Sequence, residues 1–363
     1  MNGLSRKIYL ELPLPTEDDP RSDQQRILDS LAVAGVEERV RIPVHILRKL
    51  YPLLDNAKWK ITVSLAWNGE NWEVVEIEEG DTTVQHYGLA VDLGSTTVVA
   101  RLLDCNNGAI LKEVSCFNKQ IQWGTDILSR IFYCKDNKEK LEEVRRATVE
   151  SICECMDKLD ASHSALSMVV AGNTTMIHFL LGMDAFCVFY TPHAVHADRP
   201  GFQLARGLDL PLKGYVYCYP SKSNYLGGDI ISGMIDTELY KKDEISVFFD
   251  IGTNGELVIG NKEFLLCGAG AAGPALEGGV VRTGMRADVG AVDEVKIRDG
   301  NILVHVIGEA APQGICGSGI IDLIAELFLE GWIDIRGKLS PEKSPLIQQR
   351  DNQLCVEYAP GLY

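Results

Sequence analysis

Two stretches of the chain decide its fold: VDLGSTTVVARLLD at 91–104 and FDIGTNGELVIG at 249–260. Each reads as an apolar strand, an aspartate, a glycine, a few small polar residues and a second apolar strand. Gly94 and Gly252 let the backbone turn with no Cβ in the way. The N–H groups of such a turn, with Ser95 and Thr96 in one copy and Thr253 and Asn254 in the other, can face phosphate oxygens. One D-x-G-[ST] turn is commonplace. Two copies about 160 residues apart, each between apolar strands, predict a repeated half and a two-lobed molecule. Asp92 and Asp250 then face one cleft, and a pair of carboxylates suits Mg²⁺, a hard cation that keeps several waters. Asp250, or Asp229 in LGGDI (226–230), is also placed to orient an attacking water.

Outward from the first copy, the pattern predicts strands over 87–92, 97–104 and 109–117 and helices over 125–135 and 138–159. A strand over 166–171 and a helix over 174–181 follow. Residues 185–222, rich in Pro, His and aromatics, read as an inserted loop region, and 227–240 as a helix. Around the second copy, strands are expected over 245–250, 256–260 and 263–267, followed by a Gly-Ala-rich segment. Residues 1–86 read as a small α+β module that serves as a spacer or docking domain. Its alternating runs 58–67 and 72–79 flank Asn68-Gly69, a strong hairpin signal. Its first helix starts at a cap, Asp19 or Ser22. The expected domains are 1–86, a first lobe at 87–240 and a partial second lobe at 241–363.

The chain has 363 residues, 46% of them hydrophobic and 24% charged, an ordinary globular composition. No apolar run approaches the roughly 18 residues of a membrane span, and the N-terminus has no secretory signal pattern. These features predict a cytoplasmic protein with no membrane partner. The net charge of −16 disfavours nucleic acid, whose phosphates it repels, yet leaves nucleotide binding open. The ten cysteines show no C-x-x-C pair, so the chain is expected to hold reduced thiols and no iron–sulfur cluster.

By these motifs the chain resembles the superfamily of acetate and sugar kinases, heat-shock chaperone ATPases and actin. Its phosphate-one motif matches 92–97 and its phosphate-two motif matches 250–256. Within the superfamily it is most similar to the ATP-dependent reductive activators of corrinoid proteins. The segments that carry the resemblance are GTDILSRI (124–131), AGNTTMIHFLLG (171–182), LGGDIISGM (226–234), GAAGPALEGG (270–279), GMRADVGAV (284–292) and GICGSGIIDLI (314–324). The module at 1–86 resembles the middle domain that precedes the ATPase domain in these activators.

The resemblance implies an actin-like α/β fold with two lobes and ATP or ADP with Mg²⁺ as cofactors. It implies a corrinoid protein as partner, reduced from Co(II) to Co(I) for methyl transfer, and admits a homodimer. Asp92 and Asp250 would serve the metal, and Asp250 and Asp229 the chemistry. Gly94, Ser95, Thr96, Gly252, Thr253 and Asn254 would cradle phosphates, and Gly270, Gly273 and Gly278 would line the nucleotide cleft.

Two departures stand out. The iron–sulfur cysteines that such activators carry at the N-terminus are missing, and no second glycine pair for the adenosine occurs in 320–363. The expectation is therefore a piece that keeps the phosphate side of the site, with its activity as an isolated chain left open. The competing readings are a small-molecule kinase of the same superfamily, a radical-dehydratase activator built on Cys267 and Cys316, and a nucleotide-sensing docking module without chemistry of its own. His178 reads as packed, His193 and His196 as loop residues, and Cys153 and Cys155 as a poor chelate, because i and i+2 side chains diverge on a helix.

Overall fold

The computed structural model describes residues 3–124, 126–162, 164–223, 226–252, 255–270, 281–350 and 352–363. The chain forms two compact units: Met1–Asp250 with Glu256–Ala269, and Ile251–Gly255 with Gly270–Tyr363.

The first unit begins with β1 (Ser5–Glu11), α1 (Asp23–Val33), β2 (Val40–Arg41), α2 (Val44–Leu47), α3 (Leu50–Asn56), β3 (Lys60–Trp67) and β4 (Trp72–Glu79). The strands make one mixed sheet in the order β1-β3-β4-β2. Ser22 caps α1 by accepting from the Gln25 N–H. Asp19 and Pro20 therefore lie before the helix. The apolar stretch 44–56 divides between α2 and α3, with Tyr51 in a non-helical conformation. Asn68 organises the β3–β4 turn, its Oδ1 accepting from the Glu70 and Asn71 N–H groups.

This small sheet is not a bead on a string. Ala66, Val75 and Leu166 form a buried cluster between it and the larger sheet that follows. The buried Ser5 hydroxyl lies 2.9 Å from His86 Nε2 and 3.2 Å from the Ser167 hydroxyl.

The larger sheet is built from β5 (Tyr87–Leu93), β6 (Thr97–Asp104), β7 (Ile110–Phe117), β8 (Ala165–Ala171), β9 (Gly201–Leu204) and β10 (Tyr215–Cys218). Its order is β7-β6-β5-β8-β10-β9. The first three strands form an antiparallel meander, whereas β8 runs parallel to β5, and β10 parallel to β8. The crossovers use α4 (Ile127–Cys134), α5 (Lys138–Lys158) and α6 (Thr174–Leu180). Leu89, Val91, Val98, Ile152, Met168 and Phe179 belong to the core between strands and helices.

The region 185–222 corrects the sequence reading. It holds two strands, and β10 sits inside the sheet rather than in a loop. The alternation in YVYC (215–218) buries Val216 and Cys218 on one face. The prolines and histidines around it mask that short signal.

α7 (Gly228–Thr237) follows, then the meander β11 (Ser246–Ile251), β12 (Gly255–Gly260) and β13 (Leu265–Gly270), in that order in one sheet. The repeated strand–turn–strand pattern thus appears twice, as expected.

The second unit centres on β14 (Ala291–Arg298), β15 (Asn301–Val306) and β16 (Gly314–Ile315), against which α8 (Gly317–Leu329) packs. A hairpin of β17 (Ile347–Arg350) and β18 (Gln353–Val356) completes it. Among the described residues, no helix is long and apolar enough to cross a membrane.

Candidate functional site

Asp92 is the penultimate residue of β5, in register with Val99 of β6 and Ala171 of β8. The strand is central in its sheet, so its C-terminal end opens beside the turns that follow β5 and β8. Gly94 makes the first turn possible: a Cβ there would lie 2.4 Å from the Thr97 carbonyl oxygen. Asp229 reaches the same end of the sheet from the first turn of α7. Asp250 stands near the end of β11. Gly233 of α7 holds β11 close, since a Cβ on it would lie 2.4 Å from Phe248 Cζ.

The charge of Asp250 reaches both Asp229 and Asp92, and that of Asp92 reaches Asp229. Burial pushes the Asp229 carboxyl up to about 6, and the charges of Asp250 and Asp92 add to the rise. Its Oδ1 accepts from the Ile230 N–H at 2.8 Å, which offsets part of the effect. The Asp92 carboxyl also lies above its ordinary value, first because protein displaces water around it and second because of Asp250. The Asp92 side chain still reaches solvent, so the cleft is open rather than sealed. Clustered carboxylates in partial exclusion from water call for a cation or a proton.

The donor set is oxygen only, which fits Mg²⁺. Among the described residues no three His, Cys, Asp or Glu side chains converge tightly enough to hold a metal by themselves. That arrangement suits an ion that keeps waters and takes further oxygens from phosphate.

Ser95 is buried and Thr96 half-buried. Behind them lies a polar network that the motif reading missed. Asn118 donates from Nδ2 to the Gly94 carbonyl at 2.9 Å and from its backbone N–H to the Thr96 carbonyl at 2.8 Å. Arg130, fully buried, donates from Nη1 to the Ser95 carbonyl at 2.7 Å and from Nε to the Gly124 carbonyl at 3.0 Å. Gln120 Oε1 also accepts from Arg130 Nη1, at 3.1 Å. The signal was present in the sequence: an arginine on an apolar helix face in GTDILSRI.

A cleft of about 560 Å³ opens on the sheet face that carries Asp92, with Arg101, Glu113, Tyr219, Ser232 and Asp236 among its walls.

Gly252 and Gly270 are exposed at the ends of the second meander. Thr253, Asn254, Gly273 and Gly278 lie outside the described residues. His178 is buried, with Nδ1 at 2.7 Å from the Thr174 carbonyl, and His193 and His196 are exposed. Cys316 is buried at the start of α8, whereas Cys267 is exposed on β13.

Family models match the chain in three consecutive blocks: the RACo linker region over 1–84, the RACo middle region over 87–242, and the C-terminal ASKHA domain of RACo over 244–360. The corrinoid activation enzyme RamQ of Eubacterium limosum is 36% identical over 260 residues, which covers 69% of this chain and 43% of that protein. A Co(II) methylated amine-specific corrinoid protein reductase of Methanosarcina barkeri is 23% identical over 287 residues, 70% of this chain and 53% of that one. A solved reductive activator for a corrinoid, iron–sulfur protein superposes with a TM-score of 0.81 at 35% identity, covering 97% of this chain and 58% of that chain. The chain thus spans about half the length of the relatives it matches.

Proposed function

The chain belongs to the RACo family, and we propose that it is the nucleotide-handling part of an ATP-dependent reductive activator of a corrinoid protein. In that role ATP use accompanies a one-electron reduction of the partner's Co(II) corrinoid to Co(I). The electron comes from a low-potential iron–sulfur donor outside this chain. The observation that carries the reading is the meeting of Asp92, Asp229 and Asp250 beside a glycine turn whose carbonyls are held from behind.

The turn at 94–96 would take the phosphates through its backbone N–H groups and the Thr96 hydroxyl. Asp92 and Asp250 would hold Mg²⁺ through its waters; the ion would supply charge neutralisation at the phosphates. Asp229, with a carboxyl poised near neutral pH, would orient the attacking water and accept its proton. The corrinoid protein is the partner; a homodimer and a cytoplasmic setting fit the same picture.

A small-molecule kinase would use the same phosphate turn; the relatives described above, named as activators or reductases of corrinoid proteins, favour the first reading. The decisive experiment is anaerobic spectroscopy of a Co(II) corrinoid protein mixed with the chain and a low-potential donor, with and without ATP. Formation of the Co(I) band only with ATP supports the proposal. Equal formation without ATP, or none with any corrinoid partner, rejects it.

A further inference from the structure

We infer that Asn118 and Arg130 are positioning residues for the phosphates: by holding the carbonyls of the 94–96 turn, they turn the backbone N–H groups of Ser95 and Thr96 away from the 118–130 segment, to the side from which a phosphate would approach. The inference rests on the nucleotide reading above and adds a device to it that the two phosphate motifs do not contain.

The peptide plane fixes the direction of these groups. In a trans peptide the carbonyl oxygen of one residue and the N–H of the next point in opposite directions. The peptides that join Gly94 to Ser95 and Ser95 to Thr96 are both trans. Asn118 Nδ2 grips the Gly94 oxygen, so the Ser95 N–H points away from Asn118. Arg130 Nη1 grips the Ser95 oxygen, so the Thr96 N–H points away from Arg130. The Thr96 oxygen is taken by the Asn118 backbone N–H. Three successive carbonyls therefore face the 118–130 segment. The N–H groups of Ser95 and Thr96 are turned to the other side, the arrangement of an anion-binding nest.

The clamp is itself rigid. Asn118 is 1% exposed, and Gln120 and Arg130 are 0% exposed. Asn118 Oδ1 accepts from the Gln120 N–H at 3.0 Å, and the Gln120 side chain donates to the Thr148 hydroxyl. A guanidinium stays charged in any protein environment. Bonded to the Ser95 carbonyl, it polarises that peptide and strengthens the Thr96 N–H as a donor. Lysine at 130 keeps the charge but loses the fork that spans the Ser95 and Gly124 carbonyls.

The test measures binding of Mg-ATP, Mg-tripolyphosphate and adenosine to the chain, to Arg130→Lys and to Asn118→Ser. Serine keeps a capping oxygen for the 119–123 turn but cannot reach the Gly94 carbonyl. Both variants are expected to weaken the two phosphate ligands about tenfold and leave adenosine within about twofold, since one charge-assisted bond is at stake in each. Protection of the Ser95 and Thr96 amides from hydrogen exchange by Mg-tripolyphosphate should fall in parallel. If Arg130→Lys fails to fold, Asn118→Ser alone still decides.

Unchanged tripolyphosphate affinity in a folded variant overturns the inference. So does an equal loss for adenosine and ATP, because a merely structural role would weaken every ligand alike. A wild-type chain that binds none of the phosphate ligands rejects the nucleotide reading itself, and the inference with it.

Discussion

The backbone N–H of Gly228 donates to the carbonyl of Gly172 at 2.8 Å, pinning the start of α7 to the turn between β8 and α6. Two motifs far apart in sequence, AGN at 171–173 and LGGD at 226–229, are thereby one structural joint. Through it Asp229 is delivered to the end of the sheet that carries Asp92.

The joint has no room for a side chain at Gly227. A Cβ there would lie 2.4 Å from both Asn173 Cα and the Gly172 oxygen, which are backbone atoms that cannot swing aside. Gly227→Ala should cost roughly 1–3 kcal/mol of stability, the usual toll of overpacking. It should also weaken Mg-nucleotide binding, because α7 must retreat. Chemical denaturation and nucleotide titration of the one variant check both.

Asp92 and Asp250 are expected to matter to chemistry and not to folding. Asp250→Ala should lower Mg-dependent ATP turnover by about 100-fold or more, the scale seen when preorganised charge is removed from a phosphoryl-transfer site. Asp92→Ala should weaken the response to Mg-nucleotide in the same direction. Neither should lower the melting temperature of the ligand-free protein at neutral pH, since removing one carboxylate relieves the other. A variant that melts far below the wild type would make its aspartate structural.

Asp229 gives the stability curve a pH signature. Its folded carboxyl sits at about 6, above the ordinary 3.8. A raised acid favours the fold while both states are protonated, and that favour is lost as pH rises through the folded value. The wild type should therefore lose stability between about pH 4 and pH 6 relative to Asp229→Asn. Melting temperatures measured for the two proteins across that window should converge at the acid end. Parallel curves would remove Asp229 from the buried carboxylate cluster.

The cysteines should label in two classes. Cys116 and Cys155 are buried with their sulfurs 3.2 Å apart, and burial pushes the Cys155 thiol up to about 12. Burial likewise pushes Cys218 up to about 12. Cys105 and Cys267 are exposed. Iodoacetamide at pH 8 should modify Cys105 and Cys267 in the native protein well before Cys116, Cys155 or Cys218, as read by mass spectrometry of timed samples. Early labelling of Cys155 would contradict the packing of α5 on β7.

Much of this molecule was legible before any coordinates. The strands at 87–93 and 97–104 announce themselves by apolar runs bounded by aspartate and glycine. What escaped was everything that depends on partners distant in sequence. β10 is four residues long, and only its neighbour β8 makes it a strand. Asn118 looks like an ordinary turn residue until the Gly94 carbonyl is seen 2.9 Å away. Arg130 stands on an apolar helix face in the sequence, but its burial makes sense only once acceptors from the 119–124 turn and from Ser95 are seen to converge on it.

The buried seam of Ala66, Val75 and Leu166 bears on how the first eighty residues behave when the protein is stressed. A module joined by a bare tether would melt on its own schedule. Here Gly214 packs so closely that a Cβ would lie 2.8 Å from Ala66 Cβ and 2.2 Å from the Leu166 oxygen, and Ser5, His86 and Ser167 knit the same seam with polar contacts. Prying the small sheet loose would bare apolar surface on both sides at once. Each sheet keeps a core of its own, but the seam couples them, so a cut at 80–86 should leave the two pieces associated rather than free to drift apart.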